Sequence, residues 1–274
     1  MEKYSVLMPL WYKENLDYLK TSLLSILAQT VKPDEVVMIE DHPIGEEMKD
    51  LIDSLFHNSG VELNIYENFE LDGKGLSSIL NYGVTKCRNP LIARMDTDDI
   101  AYPDRCEAEL KEFEADGELA LVGGYADEFD DDPEKIQAVH SVPRGIDEIK
   151  KRMKFTNPFN HPTVMFKKEV ILACGNYDPA LKKNEDYELW YRVVSGGYKC
   201  KNIGRSLLKF RRGASFNKRR KNREQHNGKI ELKRRMLKEG YMSRFEYIVS
   251  YTIEKAYFLM PTGIRKFAFK LLGK

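Results

Sequence analysis

Two spacings of apolar residues alternate through the first half of the chain. Ser5 to Pro9 is an apolar run of strand length, and after Glu14 the residues Leu16, Leu19, Leu23, Ile26 and Leu27 recur at the spacing of one helix face. Pro33 resets the chain. Glu35 to Glu40 then reads as a buried strand, Glu46 to Phe56 as a helix, Val61 to Tyr66 as a strand, Leu76 to Cys87 as a helix and Leu91 to Met95 as a strand. Strands separated by helices of this length predict an α/β fold, a Rossmann-like N-terminal half with a parallel sheet and right-handed crossovers. Ligands of such sheets lie beyond the carboxyl ends of the strands. Pro9, Asp41 and Asp96 stand at those ends.

Pro103 to Glu114 continues as a helix and Leu119 to Gly123 as a strand, and Asp127 to Asp132 reads as an acidic surface loop. Residues 133–183 mix short helices, a strand at Thr163 to Phe166 and turn signals such as Gly175-Asn176 and Asp178-Pro179. A helix from Asn184 to about Val194 carries Tyr187, Trp190, Tyr191 and Val194 on one face. A charged helix is expected over 219–240, and two short amphipathic helices over 243–272, broken at Pro261 and Gly263.

With 274 residues, 42% of them hydrophobic, the chain can bury a substantial core. Its four cysteines are far apart and form no Cys-x-x-Cys pair, which argues against a zinc site, a redox motif or a disulfide scaffold and fits a reducing cytosol. The N-terminus lacks a signal-peptide pattern, and no run of about 18 uncharged apolar residues is available to span a bilayer. The net charge of +1 conceals an asymmetry. Residues 205–274 hold 20 Lys and Arg against 5 Asp and Glu, whereas residues 1–204 hold 24 against 38. An acidic body joined to a basic segment predicts an anionic partner for that segment, phospholipid headgroups or a phosphate backbone.

The most informative motif is the strand that ends in Asp96-Thr97-Asp98-Asp99. If the chain stays extended, the period of two puts Asp96 and Asp98 on one side and Asp99 opposite. Mg2+ or Mn2+ takes one or two protein carboxylates and fills its remaining positions with water and substrate phosphates, so a nucleoside diphosphate is the expected partner. Taken alone, the same tetrapeptide also reads as an acidic turn that solvates a strand end.

Asp41 offers a carboxylate to the imide N–H of uracil, or caps a turn. Asp72-Gly73-Lys74-Gly75 opens a helix, where glycines let the backbone approach a phosphate and Lys74 adds charge, but the spacing fits neither a Walker loop nor a dinucleotide fingerprint, and a plain turn explains it as well. Glu185 and Asp186 supply a carboxylate base for an incoming hydroxyl, or favourable charges for a helix first turn. His161 precedes a strand, as a structural hydrogen-bonder or a ligand. The run Lys218-Arg219-Arg220-Lys221-Asn222-Arg223 lacks the interleaved aromatics of a nucleic-acid surface and suits a solvated helix face or a clamp for an anionic lipid or diphosphate.

Seven segments in order resemble the family-2 inverting glycosyltransferases of the A-type nucleotide-sugar fold. They are Ser5 to Pro9, Ser25 to Thr30, Ile39-Glu40-Asp41, Gly75-Leu76 with Leu80 to Gly83, Ala93 to Ile100, Asn160 to Thr163, and Glu185 to Trp190. The wording is most similar to the bacterial branch that extends capsule, exopolysaccharide and O-antigen units. The resemblance implies a catalytic domain over 1–212, with a nucleotide-binding half at 1–100 and an acceptor-binding half at 101–212, and a basic helical extension over 213–274. By the same resemblance Pro9 and Asp41 hold the uridine of a UDP-sugar, Lys74 and Gly75 lie at the nucleotide sugar, and Asp96 and Asp98 contact the ribose and the Mn2+- or Mg2+-bound diphosphate. Asp186 is the base, ahead of Glu185, and His161, Trp190, Arg211 and Arg212 are candidates for acceptor or diphosphate. A saccharide acceptor linked to undecaprenyl diphosphate is implied, with a peripheral site on the inner face of the cell membrane and no nucleic acid.

The chain departs from its relatives at His42-Pro43-Ile44, where many carry Asp-Gly-Ser, and at Leu80, where arginine is common. It lacks the Gln-x-x-Arg-Trp signature of processive synthases, which implies one sugar per encounter. Two other classes share these residues: a non-catalytic nucleotide-binding or scaffold protein on the same fold, and a nucleic-acid binder using 218–223.

Overall fold

The computed structural model describes residues 2–72, 74–212 and 223–260. Gly73, the basic run at 218–222 and the amphipathic segment past Met260 lie outside the described residues. Strands β1 (Tyr4–Leu10), β2 (Glu35–Glu40), β3 (Glu62–Glu67) and β4 (Leu91–Arg94) form the parallel half of one sheet in the order β3-β2-β1-β4. Helices α1 (Leu16–Leu27), α2 (Glu46–Phe56) and α3 (Leu76–Lys86) connect them, within a residue or two of the periodicity reading. The start of α1 is set locally, because the Asn15 side chain accepts from the Asp17 and Tyr18 amides at 2.9 and 3.1 Å, a cap that contributes about 1 kcal/mol.

Beyond β4 the sheet becomes mixed. β8 (Met165–Lys167) pairs antiparallel with both β4 and β6 (Leu119–Phe129), and β9 (Lys199–Arg211) runs parallel to β6. Two short strands, β5 (Ile100–Ala101) and β7 (Ile136–His140), pair antiparallel with β9 and β6 respectively. The alternation of strand faces divides the apolar residues. Leu7, Val37 and Ile39 face one core with α3, α5 (Ile146–Met153), α6 (Lys168–Ala173) and α7 (Glu185–Ser195). Val6, Met8, Val36 and Met38 face a second core with α1, α2 and α4 (Arg105–Ala115).

Two expectations are corrected. The acidic stretch at Asp127 begins inside β6, where pairing with β9 holds it: Asp127 accepts from Tyr102 Oη at 2.7 Å and from Ser206, and Glu128 is buried against His140 and Arg212. Asp96 to Asp99 do not continue the strand, since β4 ends at Arg94 and the chain turns at Thr97 and Asp98. The first of the two amphipathic helices expected over 243–272 forms as α9 (Arg244–Leu259), started by a capping box between Ser243 and Glu246, and the second lies outside the described residues. α9 follows α8 (Arg223–Lys238), which reaches the first core through Leu232 and Met236 despite its charge. No helix among the described residues is long and apolar enough to cross a membrane.

Candidate active site

The carboxyl ends of β1, β2 and β4 open on one side of the sheet. Pro9 pairs with Ile39, so the loop after β1 lies beside Asp41 at the end of β2. Tyr12 of that loop meets His42 edge to face, with ring centroids 4.1 Å apart. Asp41 is half-buried, and burial, aided by nearby Asp72, raises its pKa. Gly75 precedes α3 with φ +89, a left-handed conformation that favours glycine, and Lys74 beside it is exposed. Leu80 is fully buried, so the position where the resemblance leads one to expect arginine is filled by core.

The acidic turn is anchored from both sides. Ser22 donates to the Asp96 carbonyl at 3.2 Å and Thr97 to Glu14 at 2.9 Å. Arg211 donates through its amide to Asp99 Oδ1 at 2.9 Å and through Nε to the Asp98 carbonyl at 3.0 Å. Its guanidinium lies 3.8 Å from the Tyr18 ring centroid and 4.6 Å from that of Phe129. Arg211 thus braces the turn, and Arg212 pairs with Glu128.

Arg94 received no role in the sequence reading, and it organises the site. Its side chain is 2% exposed and forks onto Asp96, Nη1 to Oδ2 at 2.7 Å and Nη2 to Oδ1 at 2.5 Å. The available signal was a cation two residues before the first aspartate of the turn, close enough in the chain to pair with it. Burial opposes the Arg94 charge, but Asp96 and Asp99 help to outweigh it and raise its pKa. The field of Arg94 also reaches Glu185 and Asp186. Arg94→Met would leave these carboxylates without their buried counter-charge, and a loss of about 3 kcal/mol in urea unfolding is expected. A loss below about 1 kcal/mol, the range of a surface pair, would mean that solvent already balances Asp96.

Glu185 and Asp186 open α7. Asn157 Nδ2 donates to Asp186 Oδ2 at 2.6 Å. Burial raises the pKa of both carboxyls, and for Glu185, pushed up to about 7, the charge of Asp186 adds to it. Asn184, the residue before them, adopts φ +62 and donates from its side chain to the Gln225 carbonyl at 2.9 Å. A Cβ on Gly228 would come within 2.8 Å of Asn184 Nδ2, so glycine there lets α8 close on the start of α7.

His161 is half-buried and Trp190 belongs to the interior. His161 Nε2 is 2.9 Å from Tyr177 Oη, and burial, with Arg94 nearby, holds its pKa well below the usual histidine range, so the ring stays neutral. Trp190 has no exposed surface and packs among Phe159, His161, Phe166 and Tyr177, which corrects its assignment to acceptor or diphosphate: a ring sealed in the core cannot meet a solvent-borne ligand.

The turn fits a hard divalent cation. Its donors are all oxygens, and Asp99 Oδ2 is buried with no hydrogen-bond partner among the described residues. The pKa of Asp99 lies well above the ordinary range because of burial and the charges of Asp98 and Asp96, a repulsion that a cation would relieve. Among the described residues no three His, Cys, Asp or Glu side chains converge. Asp96 already has its charge balanced by Arg94, although each oxygen keeps a lone pair for a neutral donor.

Residues 5–173 match the family model of glycosyl transferase family 2. A UDP-Gal:alpha-D-GlcNAc-diphosphoundecaprenol beta-1,3-galactosyltransferase of Escherichia coli is 32% identical over 269 residues, 98% of this chain and 95% of that protein. An amylovoran biosynthesis glycosyltransferase of Erwinia amylovora is 30% identical over 270 residues, 97% and 98% of the two chains. Among solved structures, S. aureus TarS 1-349 in complex with UDP-GlcNAc superposes with a TM-score of 0.65 at 14% identity, covering 99% of this chain and 76% of that one. A mannosyltransferase from Pyrobaculum calidifontis in complex with GDP-Man and Mn2+ gives 0.65 at 13% identity, covering 100% and 76%. The fold is therefore the A-type glycosyltransferase fold, and the chain belongs to glycosyl transferase family 2.

Proposed function

We propose that this glycosyltransferase moves one sugar from a UDP-sugar to a hydroxyl of a lipid-linked saccharide, with inversion at the anomeric carbon. The observation that carries the reading is the buried Arg94, whose field joins the acidic turn at the end of β4 to the paired carboxyls at the start of α7. A nucleotide-binding scaffold needs the first group of carboxylates and has no use for the second, desolvated one. In this mechanism Asp186, oriented by Asn157, takes the acceptor proton as that oxygen attacks the anomeric carbon from the face opposite UDP. Glu185 is the second candidate. Asp98 holds Mn2+ or Mg2+, and Asp96, locked by Arg94, accepts a ribose hydroxyl. The metal, when bound, neutralises charge developing on the diphosphate.

Pro9 and Asp41 receive the uridine, with Lys74 and Gly75 beside the diphosphate. Residues 1–100 thus form the nucleotide half, 101–212 the acceptor half and 213–274 the basic extension. The Escherichia coli relative is named for a diphosphoundecaprenol acceptor, which supports a lipid-linked acceptor here and work at the inner surface of the membrane.

The donor is tested by thermal shift with Mn2+ and a panel of UDP-, GDP- and dTDP-sugars. A ligand at 100 times its Kd stabilises by about 2.7 kcal/mol, so UDP-sugars are expected to raise the melting temperature by several degrees. Stabilisation by GDP- or dTDP-sugars alone would replace UDP as the donor nucleotide.

A further inference from the structure

We infer that the outward face of α9 docks this protein on an anionic lipid bilayer. The inference deepens the membrane-surface part of the reading above and rests on that reading for where the enzyme works; its structural basis is separate. α9 is an amphipathic helix turned inside out. Three of its polar residues point into the protein: Glu246 pairs with Lys154 at 2.7 Å, Ser250 Oγ donates to the Lys154 carbonyl at 2.9 Å, and Glu254 lies 3.5 Å from Lys229 and 3.6 Å from the buried Lys233. Four of its large apolar residues point outward, while Tyr247 packs on the first core and Phe258 stacks on His226. Phe245, Ile248, Ile253 and Leu259 are 75, 60, 56 and 74% exposed, more than any other large apolar side chain among the described residues.

The orientation is enforced. Rolling α9 to bury Phe245 and Ile248 would pull Glu254 away from Lys229 and Lys233, and Lys233 would remain buried without its counter-charge, a cost that keeps the polar face inward. An exposed apolar strip held in place in this way marks an interaction surface.

Charge selects the occupant. Arg244 and Lys255 of α9 and Arg234 and Lys238 of α8 are exposed and form no ion pair among the described residues. Residues 261–274 add four Lys and Arg and no acid to the sequence. A second copy seated face to face would bring these cations together. Acidic headgroups bind them while the aromatic and aliphatic side chains enter the headgroup and acyl boundary, the pattern of an in-plane helix.

The test is co-sedimentation of full-length protein with phosphatidylglycerol or phosphatidylcholine vesicles, for the wild type and the Phe245→Glu/Ile248→Glu double variant. Both positions are exposed, so the variant is expected to keep its melting temperature and its UDP affinity by calorimetry. The wild type is expected to pellet with phosphatidylglycerol and not with phosphatidylcholine, and the variant to bind at least about 10-fold more weakly. Equal pelleting of wild type and variant, or binding indifferent to lipid charge, would overturn the inference. So would a lipid-free dimer that the variant dissociates, which would assign the face to a second copy. UDP binding is read on the same samples, so failure of the donor reading shows as lost UDP affinity with vesicle binding intact.

Discussion

Asp186→Asn is expected to lower turnover by a factor of roughly 100 to 10,000 while leaving donor affinity nearly unchanged. The substitution preserves volume, and the new amide oxygen can still accept from Asn157, which now donates to Asp186 Oδ2 at 2.6 Å. What it removes is the capacity to take a proton at neutral pH. Steady-state kinetics with calorimetry of UDP binding separate the two possible roles: a base loses kcat alone, whereas a structural residue loses UDP affinity as well. The pH profile carries a second signature. A carboxyl base works only when ionised, and burial raises the Asp186 pKa, so the acid limb of the wild-type kcat profile is expected above the ordinary aspartate value of about 3.9. Activity then falls as pH drops through that raised pKa. A limb at the ordinary value would argue for a solvated group elsewhere.

Removing the metal should have an effect of similar size. Excess EDTA is expected to abolish transfer, and Asp98→Ala to abolish metal-dependent UDP binding without lowering the melting temperature. Asp98 carries this prediction because the Arg94 fork already balances the charge of Asp96, and the charge of Asp98 adds to the repulsion on buried Asp99 that a cation would relieve. Asp96→Asn keeps an acceptor for a ribose hydroxyl and is expected to cost less metal affinity than Asp98→Ala. Full activity in excess EDTA would exclude a catalytic metal, and equal metal loss from both substitutions would make Asp96 a ligand too.

The parallel half of the fold was legible because local and global preferences agree there. β1, β2 and β4 are short apolar runs, β3 alternates polar and apolar residues and each helix shows one apolar face, so period alone sets the boundaries of β2 and α2. The acidic turn and the Glu185-Asp186 pair were visible in the sequence for the same reason, since short acidic motifs at element ends keep their neighbours in sequence. β9 was not legible. Its polar residues are satisfied from afar, as when Asn202 donates to the carbonyls of Pro143 and Pro158, and its partner strand lies some 80 positions earlier. The continuation of β6 through Asp127 follows from that pairing.

The sequence by itself determined the family, the parallel scaffold and the set of carboxylates, all properties of residues close together in the chain. Only the tertiary structure decided how those carboxylates are placed and balanced. Arg94 neutralises Asp96 and reaches Glu185 and Asp186, Arg211 braces the acidic turn, Trp190 is sealed in the core, and α9 turns its apolar side outward. Each of these depends on burial and on charges contributed by distant segments, and neither quantity exists until the chain has folded, because both desolvation and Coulomb energy are set by the neighbours that packing supplies.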